Sequence, residues 1–286
     1  MNHLEEEIKP VKLDIGKMIR SSKSWVVRNL PGFLVRWLTK TLHQDELNHI
    51  LNIYKNYDGI DFSEKVIEYF NFNVEIEGLD QIPSGKRYIF AANHTLGGID
   101  GLLLMNIIHR KFGKVKTIIN ELLLYLRNLQ SVFVGVSIFG GNTKEKIEKV
   151  NKLYESDSNI LIFPAGLVSR KIQGKIQDLV WKKSFVTKAI QYKIDIVPIH
   201  TNGRLSDSFY RLSNFRKAMG IKKNIEILFL SKETFKQKNK AMKVVFGKPI
   251  PWQTLDHSIT HEEWAKKIRE QVYAVGEKKE LPIAIS

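Results

Sequence analysis

The chain has 286 residues, 43% of them apolar and 26% charged, which is enough for one sizeable core or two small ones. It contains no cysteine, which excludes a disulfide framework, a thiolate zinc site and a cysteine nucleophile, and suits a reducing compartment. Its 45 Lys and Arg against 30 Asp and Glu leave a net charge of +15, an excess that favours an anionic partner, nucleic acid or an anionic membrane surface, over simple solubilisation.

The first residues, MNHLEEEIKPVKLD, are acidic and lack an apolar core, so they do not read as a secretory signal. From Ile15 to about Tyr54 the pattern is helical: Leu30, Phe33, Leu34, Trp37 and Leu38 recur at helical spacing, with Lys17, Arg20, Lys23, Arg28, Arg36 and Lys40 among them. Pro31 divides this stretch into two short helices. A basic amphipathic helix carrying Trp25 and Trp37 suits a membrane interface, where each Lys or Arg beside anionic lipid adds on the order of 1 kcal/mol. The same stripe could instead pack on the main core. No run reaches the ~18 uncharged apolar residues of a spanning helix, so the expectation is a peripheral protein.

Beyond this, YDGIDFSEK reads as a turn with a Ser63 cap before a short helix, KVIEYF. From Asn73 onward apolar runs alternate with helical patterns. The strand candidates are NVEIEG, RYIFAAN, VKTIIN, SVFVGVSI, NILIFPAG, IDIVPIHTN, IEILFLS and MKVVFGKPI. Helices are expected near Gly101–Lys111, Thr143–Glu155, Leu179–Tyr192 and Ser206–Met219, and a last one opens on the capping box Thr260…Glu263. The expected architecture is α/β, a mixed central sheet flanked by helices. Residues 1–60 form a basic amphipathic helical segment and residues 61–286 the main domain.

Several common sites are missing: there is no G-x-S-x-G elbow, no G-x-x-x-x-G-K-S/T phosphate loop and no G-x-G-x-x-G. His257 and His261 are four apart but lack the H-E-x-x-H context of a metal helix, and read as a solvated pair. No nucleic-acid-binding module is recognisable, so nucleic acid is not the expected partner. Three polar strand ends stand out instead: Asn93-His94 after FAA, Pro164-Ala165-Gly166 after NILIF, and Pro198 within IDIVPIHTNG. Ligands in open α/β sheets gather at carboxyl strand ends. Taken singly, His94 could be a buried histidine satisfied by a carbonyl, Asn93 a turn former, Asp100 a helix N-cap, and Ser169, Arg170 and Lys171 a solvated loop.

In order, however, Asn93-His94…Asp100, Phe163-Pro164-x-Gly166-x-x-Ser169 and Val197-Pro198-Ile199 resemble the glycerolipid acyltransferase family, whose familiar members are the lysophosphatidic acid acyltransferases. The resemblance covers roughly Phe70 to Pro251. The family's blocks are N-H-x4-D, G-x-x-F-I-x-R, F-P-E-G-T-R-S and V-P-I/V, and its members carry an N-terminal helical membrane-docking element. It implies an O-acyltransferase that moves a fatty acyl group from an acyl carrier protein or coenzyme A thioester to the hydroxyl of a membrane lysolipid, at the cytoplasmic face of the membrane. His94 would be the general base and Asp100 would orient it, a role that contributes roughly a hundred- to ten-thousand-fold in rate. The hydroxyl attacks directly, so no enzyme nucleophile, metal or redox cofactor is implied. Asn93, Pro164, Ala165, Gly166 and Ser169 would shape the acceptor pocket, and the backbone near Pro164–Gly166 would help hold the oxyanion.

The chain departs from the pattern in three places. His94 and Asp100 enclose five residues, TLGGI, rather than four, a difference that the Gly97-Gly98 pair can absorb. In the second block Gly135, Ile138 and Phe139 match, but Gly141 stands where the family has arginine. In the third, Ala165 replaces the glutamate and Val168 the arginine. The family associates those arginines with the acceptor's phosphate. Either Arg170, Lys171 or Arg204 supplies the charge, or the acceptor carries an amino-acid headgroup, such as glycine or ornithine, and the second is the simpler account. The opposing expectation is a non-catalytic, basic lipid-binding relative of the same fold.

Overall fold

Residues 13–21, 25–120, 123–124, 126–136, 143–221 and 224–279 are described by a computed structural model. Short, largely apolar runs make the centre of the sheet: every residue of β2 (Ile89–Ala92) and β5 (Asn159–Ile162) is buried, as expected of strands covered on both faces. Alternate residues supply the two layers. Phe90, Ala92 and Leu161 face one core, and Ile89, Ala91, Ile160 and Ile162 the other.

Around these two strands lie β1 (Asn73–Glu77), β3 (Val115–Asn120), β4 (Phe133–Val136), β8 (Ile196–Thr201) and β9 (Ala241–Phe246), in the order β1-β9-β8-β2-β5-β3-β4. The five strands β8, β2, β5, β3 and β4 run parallel, while β9 is antiparallel to β8 and parallel to β1. Because β8, β2 and β5 are adjacent and parallel, their carboxyl ends emerge side by side. The Asn93-His94 and Pro164-Ala165-Gly166 motifs therefore meet at one edge, whereas Pro198, expected at a strand end, lies inside β8 opposite Ala91. A separate hairpin pairs β6 (Arg170–Ile172) with β7 (Lys175–Gln177).

One face of the sheet is covered by α5 (Gly59–Phe70) and α6 (Gly98–Phe112), the other by α8 (Ser184–Tyr192) and α11 (His261–Gly276). The remaining helices are α1 (Ile15–Arg20), α2 (Trp25–Arg28), α3 (Gly32–Thr41), α4 (Gln44–Ile53), α7 (Lys144–Glu155), α9 (Asp207–Ala218) and α10 (Leu230–Phe235). Pro31 is the N-cap of α3, and Thr260 and Glu263 form the expected capping box of α11. Val35 of α3 and Ile50 and Leu51 of α4 are buried, whereas Trp25, Phe33 and Trp37 are exposed. Asn48 ties the start of the described chain to α4, its side chain bonding both the N–H and the carbonyl of Leu13 at 2.7 and 2.9 Å. Among the described residues no helix is long and apolar enough to cross a membrane.

Four local expectations are corrected. Ser63 does not cap a helix: α5 begins at Gly59, and the Ser63 hydroxyl is buried and donates to the Leu102 carbonyl at 3.2 Å. The N-cap of α6 is Gly97, with Asp100 inside the first turn. IEILFLS is not a strand but a 3-10 turn, Ile225–Phe229, leading into α10, because Glu226 is drawn inward to two arginines and breaks the alternation. Arg170 and Lys171 lie on β6 rather than in a solvated loop. Of the second block, Gly135 falls on β4, and Ile138, Phe139 and Gly141 lie outside the described residues.

Candidate active site

β2 ends at Ala92, and the chain turns through Asn93-His94-Thr95-Leu96 into α6. Asn93 brackets the ends of two strands: its amide donates to the Thr201 carbonyl at 2.9 Å, and its oxygen accepts from the Thr201 N–H at 2.7 Å. The hydroxyls of Thr95 and Thr201 are 2.9 Å apart. Gly203 continues this close approach, since a Cβ there would lie 2.4 Å from the Thr95 hydroxyl oxygen. Gly97 has φ of +84°, a conformation that admits glycine most readily.

The geometry sets His94 Nδ1 3.2 Å from Oδ1 of Asp100, with the hydrogen-bond angle still open. The second carboxylate oxygen of Asp100 accepts from the N–H groups of Thr95 and Leu96, both at 2.8 Å. Asp100 is wholly buried and thereby fixes the turn and the imidazole together, while the His94 side chain keeps 18% of its surface exposed. With Nδ1 turned to Asp100, Nε2 is the nitrogen left to meet a substrate. Phe163, at the end of β5, packs against the imidazole with ring centroids 4.2 Å apart. Burial alone would lower the pKa of His94, but the Asp100 carboxylate outweighs it, and with help from Asp178 holds the pKa above the ordinary 6.5 despite Arg170.

Ser169 and Asp178 anchor the loop from behind. The His94 carbonyl accepts from the Ser169 N–H at 2.6 Å and from its hydroxyl at 3.0 Å. Asp178 accepts from the Ser169 hydroxyl at 2.6 Å, from the His94 N–H at 3.2 Å and from the Trp181 indole at 2.9 Å. Burial raises the pKa of Asp178, against which these donors favour the ionised form. Asp178 is a positioning residue that the motif reading missed. Its signal, QDLVW, becomes meaningful only once the β6–β7 hairpin folds back beneath His94.

The other expected site residues divide into groups. Pro164 and Ala165 are buried beside Phe163; Gly166 is exposed with φ of +69°, and its N–H is bonded to the Phe163 carbonyl at 2.9 Å, so that donor is already engaged. Lys182, also missed, reaches over this turn: a Cβ on Gly166 would lie 3.5 Å from its ammonium nitrogen. Val168, where the family has arginine, is buried in the core and packs against Gly97. Arg170 is buried as well and pairs with Glu226 at 2.8 Å, while Arg216 contacts the other Glu226 oxygen at 2.8 Å. Lys171 and Arg204 are brought together on one carboxylate, at 3.6 and 2.5 Å from Asp207. Arg204 lines a cavity of about 390 Å³ that also includes Leu96, Gly203 and Lys236 but stops short of His94. Lys171 lines a neighbouring one of about 240 Å³ with Tyr210 and Arg211.

A partly exposed histidine paired with a buried aspartate, at the meeting point of three parallel strand ends, can remove a proton from a hydroxyl held in front of it. The chain is also similar to known proteins. The family described as acyltransferase matches residues 18–281. A lyso-glycine lipid O-acyltransferase from Bacteroides thetaiotaomicron is 43% identical over 262 residues, 91% of this chain and 96% of that relative. Another of the same name from Phocaeicola vulgatus is 40% identical over 262 residues, 91% of this chain and 94% of its own. Among solved structures, the 1-acyl-sn-glycerophosphate acyltransferase of Thermotoga maritima is similar at a TM-score of 0.48 and 18% identity, covering 87% of this chain and 90% of that one. The chain belongs to the acyltransferase family and is an acyltransferase, not a non-catalytic relative.

Proposed function

We propose that the protein transfers a fatty acyl group from an acyl carrier protein or coenzyme A thioester to the hydroxyl of a lysolipid headed by an amino acid, glycine foremost. The observation that carries the choice of acceptor is the likeness to two lyso-glycine lipid O-acyltransferases over nearly their whole length. Val168 supports it: an apolar side chain buried against Gly97 offers nothing to a phosphate. A carboxylate headgroup carries a single charge, for which one cation, Lys171, Arg204 or Lys182, is enough.

In this reading Nε2 of His94 takes the hydroxyl proton as the acceptor oxygen attacks the thioester carbonyl. The carbon–oxygen bond forms, the carbon–sulfur bond breaks, and the imidazolium returns the proton to the leaving thiolate. Asp100 stabilises the imidazolium in between. The reaction needs no metal or redox cofactor, because the hydroxyl itself is the nucleophile. The basic face of α2 and α3, with Trp25, Phe33 and Trp37 exposed, would rest on the cytoplasmic face of an anionic membrane, where the lysolipid resides.

The test incubates purified protein with a labelled long-chain acyl thioester and either lysophosphatidic acid, a hydroxyacyl-glycine or a hydroxyacyl-ornithine, and identifies the products by mass. Product from the glycine acceptor alone, absent with His94→Ala, is expected. Turnover of lysophosphatidic acid in preference would overturn the assignment of the acceptor. Product that persists in His94→Ala would overturn the assignment of the base.

A further inference from the structure

The elbow where α9 leads into α10 carries four exposed apolar side chains among its described residues. Phe215 is 63% exposed and Met219 62%, four residues apart on one side of the C-terminal end of α9. Ile221 and, across the turn, Leu228 are exposed too. From Ser208 to Lys232 the sequence has one acidic residue, Glu226, and that one is buried between Arg170 and Arg216. Arg211, Lys217 and Lys232 are exposed, and the sequence adds Lys222 and Lys223, which lie outside the described residues. Exposed apolar side chains beside Arg211, Lys217 and Lys232, with no exposed anion among the described residues from Ser208 to Lys232, match an anionic lipid surface in both hydrophobicity and charge.

Two contacts tie the elbow to its surroundings. Phe229 meets Trp37 of α3 edge to face, ring centroids 6.1 Å apart, so the elbow continues the apolar face of the N-terminal helices although the two are far apart in sequence. The next residue, Leu230, packs over Gly97: a Cβ there would be 3.7 Å from both of its methyl carbons. The buried Arg170–Glu226 pair fixes the elbow to β6, next to the Ser169 that holds the His94 carbonyl.

We infer that the exposed apolar residues Phe215, Met219, Ile221 and Leu228 of this elbow, with the exposed cations Arg211, Lys217 and Lys232, form a second membrane-docking element, distinct from the N-terminal helices, which seats an anionic bilayer beside the His94 turn. It deepens the membrane reading above but is separable from it. Arg170 then acts by holding the elbow against the active-site hairpin rather than by touching the acceptor.

Because the chain has no cysteine, Met219→Cys, Leu228→Cys and, as a reference, Phe33→Cys can each carry a single polarity-sensitive fluorophore on the full chain. With phosphatidylglycerol/phosphatidylethanolamine vesicles both elbow probes are expected to shift to the blue and brighten, and to do so far less with phosphatidylcholine vesicles or at high salt. A response from the Phe33 probe alone would overturn the elbow and leave the N-terminal element standing; no response from any probe would overturn both. A shift that grows with protein concentration without vesicles would identify a second copy of the chain as the occupant and overturn the proposal. Substituting Phe215, Met219 and Leu228 together by serine should cut vesicle co-sedimentation by about tenfold or more, with the near-ultraviolet circular dichroism spectrum and turnover of detergent-dispersed acceptor retained. Unchanged co-sedimentation would overturn the proposal.

Discussion

The loop that carries His94 and the surface that carries Lys171 and Arg204 are built in opposite ways. In the loop every anchoring group is buried: Asp100 and Asp178 each accept several hydrogen bonds, and Asn93 brackets two strand ends. On the side proposed to meet the headgroup, half-buried Lys171 and exposed Arg204 share a single exposed carboxylate, Asp207. A buried, multiply bonded group is costly to disturb, whereas an exposed ion pair is worth little and re-forms easily. Proton transfer needs a base held to a fraction of an ångström; recognition of a headgroup tolerates adjustment.

Substitutions graded from the loop outward would sharpen or break this contrast. The largest effect is expected from Asp100→Asn: a loss in kcat of roughly a hundredfold or more, measured on a chain whose fold is checked by thermal melting. The pH profile carries the diagnosis. The base must be neutral, so activity rises with pH through the raised pKa of His94, above 6.5. Removing the carboxylate that raises it moves that acid limb to lower pH. A limb that stayed in place would separate Asp100 from the titration of His94. The sign for stability is the converse: the ion pair contributes in full below the ordinary histidine value and is lost as pH rises through the raised one.

A smaller effect is expected from Asp178→Asn, which weakens the bracket behind His94. It should lower kcat by about tenfold and stability by about 1–3 kcal/mol, with KM for the thioester unchanged. A purely structural role would lower stability and leave kcat per folded molecule intact. Smallest of all, Arg204→Ala should change stability by less than about 0.5 kcal/mol and raise KM for the acceptor by a few-fold with kcat unchanged. If Arg204→Ala cost as much in kcat as Asp178→Asn, the division between a rigid base and an adjustable headgroup side would fail.

The motif reading singled out His94 and Asp100, which follow one strand end, and Ser169, which follows another; Ser169, expected to shape the acceptor pocket, instead bonds to the His94 carbonyl and to Asp178. It missed Asp178 because strands of three residues, β6 and β7, carry too little periodicity to register, and without the hairpin nothing connects residue 178 to residue 94. Arg170 shows the reverse case. Its charge made it a natural partner for an acceptor, yet it is turned inward to Glu226, an acid placed by a turn that resembles a strand in sequence.

By itself the sequence determined the alternation of strands and helices, the order of the motif blocks and the excess of positive charge, since all of these are local or additive properties. Tertiary structure decided which charges are spent inside the protein and which remain outside. Pairing of Arg170 with Glu226, and of Trp37 with Phe229, joins segments far apart in the chain. Such encounters depend on how the elements pack, and no periodicity within either segment encodes them.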